Sequence, residues 1–588
     1  MAHLPQQIIS ERIDDVVVLL EVMKKMGLPE ILNQHLPRHW KQEGLDWGWV
    51  ACIWLSYIIS QGDHRKVRVR EWVEQRHYTI EQVCGINIRE TDFTDDRLGI
   101  LLKRLSKPET WEQIERFLTQ KSIRAYELAV EQVRLDATTI SGHHLISESG
   151  LFQFGHSKDD PNLPQVKLMM GMIDPLGMPL VTQVVSGEQA DDGLYIPAYQ
   201  QIAATLNKKG LLFVGDCKMS SLSTRCNIHI QGDYYLCPLS NVGKTPELLA
   251  GWINDAVMGK FPLVEIKRTS FHHNTETSPD LDALETTIAT GYEVCRHVEV
   301  VDEQLPLLCW QERVLIVHSP TLAKQQFQGL EKRLHNAQQK LMALTPQKGR
   351  GKRQINDLQV LLQKATEILR LHRVEGLLSF DYECQETVEE TYIGRGRPTS
   401  RPKQITRKIR YQIQTVIRNE DAIAQTHKTF GWRAFVSNAP KSMLSIEQAV
   451  LTYRDEWIAE RGFHRLKGAS LSIAPMFVQR DDQVTGLINL LSLALRLLTI
   501  IEFVVRRQLT VQEVNSLAGL YPEHPKKRTA QPTAERLLRA FSNITLTIIE
   551  ARGQRFGYVP PLNPLQQEII SLLGLVPDIY SNLVDNSS

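Results

Sequence analysis

Tyr453, Glu460 and Lys467 recur at intervals of seven within YRDEWIAERGFHRLKG, residues 453–468. Seven residues complete two helical turns and return to within about 20° of the starting direction. On one continuous helix the three side chains therefore share a face, with Trp457 near it and Arg454 and Arg465 off the line. A lone glutamate on such a helix is most often a surface ion-pair partner. A carboxylate set among so many cations also suits a site where metal ions absorb its charge and the cations face phosphate.

Two further acids give that second reading company. Asp136 closes the apolar run in EQVRLDATTI, and Asp216 closes LLFVGD. A carboxylate at the end of a buried strand is costly to desolvate unless it is paired or binds a cation. Asp136 and Asp216 on neighbouring strands, with Glu460 from a helix beside them, would form an all-oxygen ligand set suited to Mg²⁺ or Mn²⁺. Two such ions activate the attacking oxygen and stabilise the leaving one in phosphoryl transfer. Glu456, one helical turn before Glu460, is the nearest competitor for the third ligand position. His143 and His144 follow Asp136 as metal or substrate contacts, or as ordinary polar strand-end residues. Lys218 and Ser220, after Asp216, are lesser candidates for phosphate contact. Asp191 and Asp192 read as loop or helix-cap acids.

The elements that must position these groups change character along the chain. Its 588 residues suit several domains, and the net charge of +1 gives no global attraction to nucleic acid, so any basic surface must be local. Eight cysteines without a CxxC pair argue against a zinc ribbon, and a cytoplasmic setting is expected. Residues 1–125 read as a helical N-terminal domain with a basic segment, GDHRKVRVREWVEQR, that is either a solvated face or a DNA-binding one. Residues 126–250 read as strands, a helix around 194–205 and further strands, a mixed α/β sheet. Residues 251–430 carry two amphipathic helices in a hairpin, then an arm from Gly394 to Arg410 with seven Arg or Lys and no acid. That arm, with Arg395 and Arg397, is either a solvated loop or a phosphate contact. Residues 431–515 hold a strand, the Glu460 helix and the apolar run Val484–Val505, read as a buried helix because Arg496 near its centre is costly in a bilayer. Residues 516–588 read as a helical tail.

The order Asp136, Asp216, Glu460 resembles the DDE triad of bacterial insertion-sequence transposases. The signature of one branch, the insertion-sequence-4 superfamily, is Y-x2-R-x3-E-x6-K. Tyr453, Glu460 and Lys467 fall in its register, while Glu456 stands where the branch has Arg and Arg454 lies nearby. LDATT and FVGDCKMSS match the two Asp regions, and GLINLLSLALRLL matches the helix after the lysine. The resemblance spans about 126–510 and implies an α/β, RNase H-like mixed sheet interrupted by a large α+β insertion domain. It implies two-metal cleavage at terminal inverted repeats and 3′-hydroxyl strand transfer into target DNA, with Asp136, Asp216 and Glu460 as metal ligands. Tyr453, Arg454, Arg465 and Lys467 would position double-stranded DNA. Trp432 would stack on a flipped base, or else be a strand-end core residue. A homodimer on paired ends, a bacterial nucleoid-associated setting and no membrane partner are also implied. A DNA-binding protein that keeps the fold without the reaction, and an RNase H-like nuclease, are the alternatives.

Overall fold

The computed structural model describes residues 7–157, 159–271, 283–302, 305–347, 349, 354–392, 403–512, 516–551 and 554–584. A nine-stranded mixed sheet organises the molecule. Its strands are β1 (Gln132–Ser141), β2 (Gln165–Asp174), β3 (Met178–Ser186), β4 (Leu212–Gly215), β5 (Tyr234–Pro238), β6 (Val264–Phe271), β7 (Ala283–Asp302) and β8 (Leu305–His318). A two-stranded ribbon follows, β9 (Leu378–Tyr392) with β10 (Lys403–Arg418), and then β11 (Trp432–Ser437) returns to the sheet. The order is β3-β2-β1-β4-β5-β11-β8-β7-β6. β1 to β3 form an antiparallel meander, whereas β1, β4 and β5 run parallel.

This centre folds because its strands are apolar on both faces, the mark of a sheet covered by helices. Every residue of β2 is buried. Helix α5 (Tyr195–Leu206) covers one face so closely that a Cβ on Gly171 would lie 2.3 Å from Ile202 Cδ1. On the other face lie α9 (Ile446–Arg454) and α10 (Trp457–Lys467). The long helix α11 (Asp481–Val511) is apolar and long enough to cross a membrane, yet 94% of its most apolar window is buried, so its coat is protein. It crosses α3 (Asp95–Leu105) at Gly486, where a Cβ would meet the Leu102 carbonyl oxygen at 2.0 Å.

Several expectations change. The N-terminal helices, among them α1 (Trp47–Gln61), α2 (Lys66–Glu74), α3 and α4 (Pro108–Tyr126), share one continuous apolar core with the sheet and α11. The helical hairpin of α7 (Pro320–Leu344) and α8 (Leu358–His372) forms as expected, with Leu334, Leu341 and Leu361 buried in it. The inserted region also carries β6, β7 and β8, which extend the main sheet instead of forming a separate unit. The helical tail is corrected as well: Thr545–Ala551 and Gln554–Tyr558 are strands, and the first pairs antiparallel with Gln7–Arg12.

Candidate active site

Leu135 on β1 pairs with Gly215 on β4 in a parallel register, so the next residues, Asp136 and Asp216, emerge side by side. Both are half-buried. Asp136 Oδ1 accepts the Ala137 amide at 2.8 Å. Asp216 leaves the strand as the cap of a short turn, Cys217–Ser220, its Oδ1 accepting the Lys218 amide at 2.8 Å. The same oxygen accepts the Tyr195 hydroxyl at 2.6 Å. Burial first, then Asp216, Asp136 and Asp191, pushes the Tyr195 phenol well above its ordinary value, so it remains a donor. Sequence reasoning missed Tyr195 because no spacing links it to either aspartate. Its signal is only that it opens the helix following the meander.

The stretch carrying Glu460 is not one helix. α9 ends at Arg454 and α10 begins at Trp457. In a continuous helix the Thr452 carbonyl would receive the Glu456 amide. Here it receives the Arg134 guanidinium at 2.6 Å and the Asp455 amide at 3.3 Å, and Glu456 N–H turns to Tyr453 O at 3.2 Å. Arg134 lies two residues before Asp136, hence on the same face of β1, and also pairs with buried Asp174 at 2.6 Å. The turn at 455–456 is thereby tied to the strand that carries Asp136.

Across this break the expected site residues differ in burial and partners. Tyr453 packs inward, 9% exposed, with its ring edge-on to Phe435 at 4.9 Å, and burial, then the nearby Glu456 and Asp216 carboxylates, push its phenol up, so its hydroxyl lies towards the aspartate pair. Arg454 reaches the Ile288 carbonyl at 3.1 Å and Ser319 Oγ at 2.9 Å, clamping α9 to the inserted strands. Arg465 is buried between Glu502 and Glu535, a structural ion-pair group and not a phosphate contact. Lys467 remains near the surface, with Nζ 2.9 Å from Asp159. Trp432 begins β11, half-buried against the core, its ring 5.1 Å from that of His318. Arg395 and Arg397 lie outside the described residues.

Glu460 sits on the exposed side of α10, and Glu456 is half-buried at its start. Burial raises the Glu456 carboxyl above its ordinary value; Glu460 and Asp216 raise it further, against Arg134 and Arg433. Glu456 is thus the glutamate in the field of Asp216. Among the described residues no three His, Cys, Asp or Glu side chains stand together closely enough to hold a metal ion. The expected compact triad is therefore reduced to an aspartate pair with two glutamates on the adjoining turn. Of the remaining candidates, Asp191 pairs with Lys167 at 2.6 Å, and Ser220 Oγ is spent on the Cys217 carbonyl at 2.7 Å. His144 stacks on Phe152 at 3.7 Å and bonds the Val478 carbonyl at 2.9 Å, a packing role.

No family model matches the chain, and no curated protein matches it. Among solved structures, similarity is found to a piggyBac transposase synaptic complex with hairpin DNA, at 8% identity and a TM-score of 0.26. The match covers 53% of this chain and 61% of that one, less than two thirds of its length. A Mos1 transposase paired-end complex with the left transposon end is similar at 12% identity and a TM-score of 0.14, over 38% of this chain and 67% of that one. Likeness at this level carries no functional argument; the geometry of the site does.

Proposed function

We propose that the chain is a DDE-type DNA transposase of the insertion-sequence-4 superfamily, built on an RNase H-like core with an insertion between its fifth strand and the glutamate helix. The observation that carries this is Asp136 beside Asp216 at adjacent parallel strands, in a sheet whose first five strands run β3-β2-β1-β4-β5. The late helical turn bearing Glu456 and Glu460 is anchored to the same strand through Arg134.

The donor types, though no three are grouped among the described residues, are those a hard cation takes: two neighbouring carboxylates, half-buried, with glutamates whose mutual repulsion a divalent ion would relieve. Asp136 and Asp216 would hold Mg²⁺ or Mn²⁺, with Glu460 or Glu456 completing the set. When bound, two such ions supply charge stabilisation to the entering and leaving oxygens of a phosphodiester. The chain's own part is orientation. Tyr195 and the Lys218 amide fix one oxygen of Asp216. Arg134 fixes the turn, and Lys467 at the surface is placed to meet phosphate on leaving Asp159. The substrate would be terminal inverted repeats and then target DNA, handled by a homodimer in the bacterial cytoplasm.

Asp136→Asn and Asp216→Asn are each expected to abolish Mn²⁺-dependent nicking of terminal-repeat duplex, by more than about 100-fold, while duplex binding persists. Nicking retained by either variant rejects that aspartate as a ligand. The reading of a DNA-binding protein without the reaction is favoured by the lack of a three-carboxylate cluster among the described residues. It predicts duplex binding with no nicking by the unaltered chain in either metal.

A further inference from the structure

The side of α10 facing away from the aspartates borders a cavity of about 490 Å³, between α10, α11 and the β2–β3 turn. That volume lies within the range of small-ligand pockets, about 300–1,000 Å³. Leu176, Ile458 and Leu495 contribute an apolar floor, and Phe503 an aromatic wall over which the Arg507 guanidinium lies 5.2 Å from the ring centre. Among the described lining residues four are arginines, 461, 465, 506 and 507, and one is an acid, Glu502.

These charges do not cancel. Glu502 accepts from Arg461 and Arg465 and lies 3.4 Å from Arg506, so three cations share one carboxylate. Glu535 pairs with Arg465, and its charge also reaches Arg506. Arg506 otherwise bonds only a neutral oxygen, the Pro532 carbonyl, and Arg507 the Tyr126 carbonyl at 2.6 Å. Burial, and secondarily repulsion from Arg461 and Arg465, lowers the Arg506 pKa. A half-apolar cavity with surplus positive charge calls for an anion carrying an apolar body. The stacked guanidinium and ring favour a flat body over an acyl chain.

We propose that this cavity binds a nucleotide unit, its base against Phe503 and its phosphate on Arg461, Arg506 and Arg507. The unit is supplied either as a free nucleoside monophosphate or by a DNA strand. The site is separate from the aspartate pair, but Arg461 directly follows Glu460, so an occupant would also steady the helix that carries that glutamate.

Isothermal titration of the full chain tests this with adenosine 5′-monophosphate, inorganic phosphate and a single-stranded oligonucleotide as probes. Variants are Arg507→Gln, Phe503→Leu and Leu176→Trp, the last filling the cavity with the ion pairs intact; each is first checked for an unchanged unfolding midpoint. The expected result is binding of adenosine 5′-monophosphate with a Kd of ~1 mM or tighter. It should exceed the affinity for phosphate and weaken at least tenfold in every folded variant. If the mononucleotide fails but oligonucleotide binding weakens tenfold in the same variants, the unit comes from a strand and the proposal stands. It is overturned if neither probe binds, or if binding is indifferent to all three changes. Because nicking is not read, the outcome is independent of the fate of the aspartate assignment.

Discussion

Tyr195 fixes one oxygen of Asp216 at 2.6 Å, and that single contact tests whether the aspartate works as an oriented ligand. Tyr195→Phe keeps the ring in place and removes only the donor. Stability is expected to fall by about 1 kcal/mol, the net worth of an ordinary hydrogen bond. Mn²⁺ affinity, read by titration, is expected to fall by about tenfold or more, as when a ligand loses its supporting bond. Equal metal affinity in the variant would remove Tyr195 from the site. At this scale Asp216 is legible in sequence because it ends an apolar β-run, where an acid demands a reason; Asp136 is legible as an acid in such a run, although its strand does not end there but continues to Ser141. Tyr195 is not, since its partner lies 21 residues away and is met only through the fold. The seven-residue spacing of Tyr453, Glu460 and Lys467 presumes a continuous helix, which the turn at 455–456 interrupts.

That presumption fails for a reason belonging to elements. The break between α9 and α10 is set by Arg134, on a strand more than 300 residues away, taking the Thr452 carbonyl that the helix needed. Local periodicity cannot report a competitor so distant. Arg134→Met would free that carbonyl and leave Asp174 buried without its cation. Breaking a buried pair from one side typically costs about 3–5 kcal/mol. A loss of that order is expected in urea unfolding, with faster proteolysis at residues 455–457; unchanged proteolysis would mean that the turn is held by something else. The same contrast between near and distant partners decides what is legible elsewhere. The β2–β3 hairpin and the α7–α8 pair can be read from near-neighbour patterns. β6, β7 and β8 cannot: with charged residues such as Glu265, Lys267, Glu285 and Arg296 among the apolar ones, their strand identity depends on joining an existing sheet edge.

Across the whole molecule, Glu115 marks where the N-terminal helices meet the sheet. It extends from α4 to the Thr182 amide on β3 at 3.3 Å and to Gln201 on α5 at 3.4 Å, near Arg496 of α11. Burial pushes its carboxyl up from 4.5 to about 8, with Arg496 opposing. Between those values the folded protein keeps a proton that the unfolded chain releases, so stability must fall as pH rises through the window. Arg496, lowered to about 10, does not titrate there. Glu115→Gln is expected to flatten the dependence between pH 5 and pH 8.5, gaining roughly 2–4 kcal/mol over the parent at the upper end. Parallel urea midpoints for the two proteins at both pH values would refute the assignment.

Among the described residues the strand at Gln7–Arg12 pairs only with Thr545–Ala551, and Tyr580 closes on the Asp14 carbonyl. During synthesis the earlier strand must therefore wait, unpaired, until the later one has left the ribosome. A product cut short by premature termination before residue 545 would leave this strand edge bare, a template for pairing with other chains.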